Sequence, residues 1–100
     1  EKCIKNINDN FHKDISLESI AEEFYFSPSY FSVVFKNHTG VAFSKYLSNL
    51  RIRKALELLE NSDYKVYEIS SMVGYHDEKY FCRVFKKEVG VPPDKYRRVT

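Results

Sequence analysis

The residues best suited to chemistry in this 100-residue chain are long polar side chains near its carboxyl end. Lys79, Arg83 and Lys86 recur at intervals of four and three residues, which places them on one face of a helix. Glu78 and Tyr80 flank Lys79 at the start of that face. Ammonium and guanidinium groups donate hydrogen bonds and carry positive charge. The pattern therefore suits a helix that binds an anionic partner with hydrogen-bond acceptors; for a single helix, a face that is only solvated is the alternative.

Catalytic and metal-binding patterns do not accompany these side chains. The histidines (His12, His38 and His76) are scattered, no serine lies in a nucleophile elbow, and there is no glycine-rich phosphate loop. Cys3 and Cys82 are too few for a disulfide framework and have no neighbours at metal-ligand spacing. We predict no enzyme, no metal site and no cofactor. We expect reduced thiols in a cytoplasmic protein, and we interpret Cys82 as a small packing residue.

Composition favours a folded domain with a more basic second half. Hydrophobic residues make up 43% and aromatic residues 16% of the chain, which is enough for a core. The formal net charge is only +2, but residues 51–100 hold eleven basic against eight acidic side chains. This imbalance suits an anionic partner.

No apolar run approaches the length of a membrane span, so no membrane partner is expected. Because the sequence opens without methionine in a helical pattern, we expect it to be cut from a longer chain.

The polar face belongs to the second copy of an internal repeat. A shift of 50 residues aligns Tyr30, Phe31, Val34, Phe35, Lys36, Gly40 and Val41 with Tyr80, Phe81, Val84, Phe85, Lys86, Gly90 and Val91. Upstream of these residues the shift is 49, so the second turn is one residue longer. Each copy is predicted as two short helices joined by a tight turn, which is the helix-turn-helix pattern.

Start and stop signals bound the second helix of each copy. Ser27 followed by Pro28 begins one helix and Gly40 ends it, whereas Asp77 and Gly90 bound the other. The predicted core faces of these two helices are Phe31, Val34 and Phe35, and Phe81, Val84 and Phe85. Further helices are predicted over 2–11, 17–24 (capped by Ser16), 66–73 and from Pro92 onward.

A longer helix, 43–60, separates the two copies. Its apolar residues do not lie on a single face of the helix. Phe43 and Leu47 share one face, whereas Ile52, Ala55 and Leu59 lie on a different face. We infer that each half packs against a different small domain. The prediction is an all-α fold of about seven helices. We expect two helix-turn-helix subdomains, 1–42 and 61–100, joined by the connecting helix 43–60. Because such motifs place their second helix in a DNA major groove, we expect the two subdomains to form together one DNA-binding domain.

Docking of each second helix in a DNA major groove would bring its amino-terminal residues to base edges first. The predicted base contacts are Ser29, Ser32, Val33, Glu78, Lys79, Tyr80 and Arg83, and the predicted phosphate contacts are Ser27, Lys36, Asp77 and Lys86. Lys79 and Arg83 can reach guanine acceptors, whereas Ser29 and Ser32 are short. We therefore expect the second copy to read bases more sharply than the first.

The chain resembles the DNA-binding domain of AraC/XylS-type transcriptional regulators. The resemblance is carried by Ser16-Leu17-Glu18-Ser19-Ile20-Ala21, Ser27-Pro28-Ser29-Tyr30-Phe31-Ser32, Arg51-Ile52-Arg53-Lys54-Ala55, Val73-Gly74-Tyr75, Tyr80-Phe81 and Gly90-Val91-Pro92-Pro93. It implies two motifs in successive major grooves, a bacterial activator that contacts RNA polymerase, and a missing N-terminal sensory or receiver domain. The local sequence pattern is similar to that of family members fused to response-regulator receiver domains. Ala42 departs from the pattern, since a capping hydroxyl is favoured before the long helix.

One alternative remains open at this point. A protein–protein interaction module derived from a helix-turn-helix domain, without DNA binding, would also explain the neutral outward face of the first copy and the small net charge. Binding to random duplex that weakens steeply with salt distinguishes the two, because only a DNA binder releases counterions from phosphates.

Overall fold

The computed structural model describes residues 2–99, which form seven α-helices and no strand. The helices are α1 (Lys2–Asn10), α2 (Leu17–Glu23), α3 (Pro28–Thr39), α4 (Phe43–Asn61), α5 (Val66–Met72), α6 (Glu78–Val89) and α7 (Pro93–Val99). The chain divides into two compact units, unit 1 ending at Leu50 and unit 2 beginning at Arg51. The predicted all-α fold with two helix-turn-helix motifs and a long helix between them is confirmed.

Unit 1 has its own hydrophobic core, built by α1, α2, α3 and the first half of α4. The buried members are Ile7, Ile20, Ala21, Phe31, Phe35, Phe43 and Leu47. The ring of Phe35 lies at its centre, with centroids 5.7 Å from Phe31, 5.6 Å from Phe43 and 5.3 Å from Tyr46. The Phe43 and Tyr46 rings of α4 meet Phe35 edge to face, a geometry that adds to the free energy of burial. These two contacts hold α3 against α4.

Unit 2 repeats the arrangement with the second half of α4 and the helices α5 and α6. Its buried core consists of Ile52, Ala55, Leu59, Ile69, Val73, Tyr75, Phe81 and Phe85. Phe81 and Phe85 are completely buried, and the Tyr96 ring of α7 contacts Phe85 with centroids 5.9 Å apart. The inner face of α6 is thereby fixed, which leaves its outer face free to bind a partner.

Helix α4 contributes to both cores, as its sequence pattern predicts. Phe43 and Leu47 are buried in unit 1, whereas Ile52, Ala55 and Leu59 are buried in unit 2. The predicted change of the apolar stripe from one side to the other is confirmed. The cause is the geometry of an α-helix, in which positions three or four residues apart share a face.

The predicted helix boundaries are also confirmed for α3 and α6. The Ser27 hydroxyl accepts the Tyr30 backbone N–H at 3.2 Å, and the Asp77 carboxylate accepts the Lys79 backbone N–H at 2.9 Å. Both helices end at a glycine in the left-handed region, Gly40 and Gly90. Helices α1, α2, α4 and α5 agree with the predicted ranges to within one residue at each end, and α7 begins one residue after the predicted start at Pro92.

The prediction that Val34 belongs to the core is wrong. Its side chain is 42% exposed, whereas the repeat-related Val84 is partly buried against the unit 2 core. Val34 lines an open groove of about 310 Å³ in unit 1, together with Phe24, Phe26 and others. Helical spacing places Val34 toward the core side, but the space beside it is an open groove.

Candidate nucleic-acid interface

Helix α6 presents a polar face directly opposite its buried aromatic side chains. Phe81 and Phe85 are 0% exposed, and Lys79, Arg83 and Lys86 are exposed. Since the Asp77 cap fixes the first turn and the core fixes the inner face, the three cations project from a rigid helix. Such a face can donate hydrogen bonds to acceptors in a groove and neutralise anionic charge.

Tyr80 lies at the edge of this face and is held by neighbouring rings. Its centroid is 5.9 Å from that of Tyr75, which is 93% buried beneath it. The Arg83 guanidinium carbon lies 6.0 Å from the Tyr80 ring centroid, and that of Arg51 lies 5.2 Å from the Tyr75 ring centroid. Two cations and two rings are thus in sequential contact from α4 to α6.

Helix α3 presents a shorter and less charged face. Ser29, Ser32 and Val33 are exposed, Val33 by 60%, and Lys36 supplies the positive charge. Tyr30 is 58% exposed and packs on Phe26 with ring centroids 5.5 Å apart. This face offers hydroxyls and apolar contacts, and its first two turns contain no Lys or Arg.

The structure brings the predicted site residues together in two groups, one in each unit. Ser27, Ser29, Ser32, Val33 and Lys36 lie at the start and on the outer face of α3, and Asp77, Glu78, Lys79, Tyr80, Arg83 and Lys86 do so on α6; all eleven are exposed. Both groups begin at a side-chain cap that consumes backbone N–H groups of the first turn.

Helical spacing places Cys82 on the same outer side of α6 as Lys79, Arg83 and Lys86, but its side chain packs against the unit 2 core. It is half-buried there, which confirms its interpretation as a packing residue. Burial raises the pKa of the Cys82 thiol, and the nearby Glu78 and Asp94 carboxylates raise that pKa further. The thiol is therefore a poor nucleophile at neutral pH.

Within residues 2–99, no group of three or more His, Cys, Asp and Glu side chains could hold a metal ion. In the same part of the chain, no helix combines the length and apolar character needed to cross a membrane.

Arg97 is a residue whose role the sequence does not reveal. Its guanidinium donates hydrogen bonds to the carbonyl oxygens of Leu59 and Ser62, both at 3.2 Å, and of Tyr64 at 2.5 Å. It thus binds the last turn of α4 and the connector that follows it from a helix more than thirty residues away. The neighbouring Tyr96 hydroxyl donates to the Glu60 carboxylate, a bond that raises the pKa of Tyr96.

Two helix-turn-helix motifs, α2–α3 and α5–α6, each with a capped second helix and an exposed outer face, place the chain in the class of tandem helix-turn-helix proteins. Comparison with known proteins agrees: residues 20–99 match the family described as "Helix-turn-helix domain". The chain belongs to this family, in its AraC/XylS-type branch.

Two solved structures and one curated relative illustrate the match. The C-terminal domain of AraT, a response regulator from Geobacillus stearothermophilus, has a TM-score of 0.96 and 38% identity, covering 99% of this chain and 83% of that one. The DNA-binding domain of AdpA, a global transcriptional factor in complex with a target DNA, has a TM-score of 0.94 and 28% identity, covering 98% and 88%. Regulatory protein PocR of Salmonella typhimurium is 35% identical over 98 residues. That alignment spans 98% of this chain and 32% of PocR, so the chain covers about a third of that relative's length.

Proposed function

We propose that this chain binds double-stranded DNA in a sequence-dependent manner and so regulates transcription, with α3 and α6 in successive major grooves. The observation that carries the proposal is the exposed face of α6, where Lys79, Arg83 and Lys86 project from a helix fixed by its buried aromatic residues. The dimensions of a major groove admit one α-helix. The similarity to AdpA, whose structure contains target DNA, supports the same use of the fold here.

We assign direct base contacts mainly to the second motif. Lys79 and Arg83 donate to guanine acceptors, Glu78 accepts from cytosine, and the Tyr80 ring lies against a thymine methyl or a sugar. In the first motif Ser29, Ser32 and Val33 contribute short hydrogen bonds and an apolar contact. This division follows from side-chain length and charge, since the α3 face has no Lys or Arg in its first two turns.

Phosphate contacts are assigned to the helix starts and to one lysine in each helix. The backbone amides at these two helix starts that the Ser27 and Asp77 side chains do not bind approach phosphates, because helix amino termini carry partial positive charge. Lys36 and Lys86 occupy repeat-related positions farther along the two exposed faces. These contacts orient the domain on the duplex and carry no sequence information.

The test is a salt titration of binding to a mixed-sequence duplex, followed by selection of bound sites from random DNA. Log affinity should fall with log salt by about 0.9 per neutralised phosphate. Lys86→Ala should reduce that slope by about one phosphate. Lys5→Ala is the matched control, since Lys5 lies on α1 and pairs with Asp9 at 2.9 Å. A chain that binds no duplex and selects no site is a protein-interaction module, and the proposal is then wrong.

The proposal extends to the whole protein. A sensory or receiver domain on the amino-terminal side, contact with RNA polymerase and action as a bacterial, cytoplasmic activator fit the similarity to AraT and PocR, two regulatory proteins. The coding sequence upstream of residue 1 tests the receiver domain. Transcription of a promoter carrying the selected site, with and without the full-length protein, tests activation.

A further inference from the structure

We propose that Tyr80 is a positioning residue for Arg83, and that the buried Tyr75 holds the Tyr80 ring in place. The inference rests on the proposed function, because it concerns how α6 discriminates base pairs. It adds to Tyr80 a role distinct from any contact of its own with DNA.

The buried Tyr75 ring is the part of this arrangement that the unit 2 core holds in place. The Tyr75 ring is 93% buried, lies 5.5 Å from the Phe81 centroid, and its carbonyl oxygen accepts the buried Ser70 hydroxyl at 3.3 Å. Arg51 lies over the Tyr75 ring at 5.2 Å. Tyr75 therefore belongs to a rigid part of unit 2 and provides a fixed surface for whatever packs on it.

Tyr80 packs on that surface and in turn contacts Arg83. The ring centroids of Tyr75 and Tyr80 are 5.9 Å apart at an interplanar angle of 57°, and the Arg83 guanidinium carbon lies 6.0 Å from the Tyr80 centroid. A guanidinium at this distance is attracted by the ring quadrupole. Arg83 is exposed, so without this contact its long side chain would sample many rotamers.

Restricting the Arg83 side chain before binding strengthens its discrimination between base pairs. A side chain already held near its bound conformation loses less entropy when it meets its partner. Bidentate recognition of a guanine edge also demands a defined orientation of the guanidinium plane. The Tyr80 ring supplies that orientation from within the protein.

The repeat provides an internal control. Tyr30 occupies the position equivalent to Tyr80 and packs on Phe26 at 5.5 Å, but Val33 stands where Arg83 stands in unit 2. Unit 1 therefore has the ring pair without a guanidinium to position. Removal of the Tyr30 ring should leave the base preference of Arg83 unchanged.

The experiment measures binding to a duplex selected by the wild-type chain from random DNA, and to all its single-base variants. The chains compared are wild type, Tyr80→Leu, Tyr80→Phe, Arg83→Ala, the Tyr80→Leu/Arg83→Ala double variant and Tyr30→Leu. Tyr80→Leu should reduce the preference at the base pair that Arg83 reads by about two- to fivefold, the range of an exposed cation–π contact. In the Arg83→Ala background the same change should have no effect at that base pair. Tyr80→Phe should retain the preference, since it retains the ring.

Thermal unfolding of each variant separates positioning from damage to the fold. Tyr80 is half exposed, so Tyr80→Leu should melt with the wild type. Tyr80→Met, which keeps an apolar contact with Tyr75 but has no ring, repeats the test if the leucine variant melts early. A wild-type chain that selects no duplex would refute the proposed function itself. Sequence-specific binding in which Tyr80→Leu leaves the Arg83-dependent preference intact, or lowers affinity equally in both backgrounds, would refute only the positioning role.

Discussion

Arg97 in α7 binds carbonyl groups at and just after the carboxyl end of α4. The final carbonyl groups of a helix have no partners within it and carry partial negative charge. The Arg97 guanidinium donates to the Leu59 oxygen in the last turn of α4 at 3.2 Å, and to the oxygens of Ser62 at 3.2 Å and Tyr64 at 2.5 Å in the connector that follows. It thereby anchors α7 to this part of unit 2. Replacement by methionine, which keeps the aliphatic stem, removes these bonds and leaves the packing of the stem largely intact.

The expected loss follows from the number and exposure of these bonds. A hydrogen bond with one charged partner contributes about 1.5–3 kcal/mol. Arg97 is half-buried, so water replaces part of what is lost, and we expect Arg97→Met to lower the free energy of unfolding by about 2 kcal/mol in total. For a domain of this size that corresponds to a melting temperature lower by about 8–16 °C. Arg97→Lys should lie between methionine and wild type, because an ammonium keeps the charge but not the planar donors.

Thermal unfolding followed by circular dichroism measures the effect, with Arg98→Met as the matched control. Arg98 is the exposed neighbour of Arg97 on the same helix, and its replacement should change stability by less than about 0.5 kcal/mol. Hydrogen exchange should show the loss of protection in unit 2, since Arg97 and its carbonyl partners all lie there. If Arg97→Met melts together with Arg98→Met, the carbonyl contacts do not stabilise the unit and the reasoning fails.

Three further predictions concern the DNA face and one helix start. Arg83→Ala should weaken binding to a selected site by about 1–3 kcal/mol and reduce the sequence preference at one base pair, whereas Val33→Ala should weaken binding by less than half as much because it removes only apolar contact. Binding to single-base variants of the site measures both effects, and a larger effect of Val33→Ala would reverse the ranking of the two motifs. Lys36→Ala and Lys86→Ala should weaken binding to selected and random duplexes about equally, since phosphate contacts are independent of sequence; a loss seen only on the selected duplex would contradict this assignment. Ala42→Ser should stabilise the domain by about 0.5–1 kcal/mol, because the Ala42 carbonyl already accepts the Tyr46 N–H at 3.0 Å and the hydroxyl adds the missing cap; unchanged or lower thermal stability would argue against this position as the cap.

The sequence is sufficient to predict those features whose causes are local. The capping bonds of Ser27 and Asp77 join residues two or three apart, so the residue types alone identify the starts of α3 and α6. The helical period likewise predicts that α4 changes its buried side between Leu47 and Ile52. The repeat locates both outer faces because the aromatic residues that must be buried leave only the opposite side exposed.

Tertiary structure alone decides which neighbours a side chain meets once its face is known. The repeat pairs Val34 with Val84 in identical helical settings, yet one lines an open groove and the other packs against a core. Arg97 reaches carbonyl groups 33 to 38 residues away, and no spacing rule connects them. The helical period and the capping bonds depend on residues within one or two turns of the chain. Whether a neighbouring segment covers a side chain, and which distant carbonyl groups it binds, depends on segments that only folding brings together.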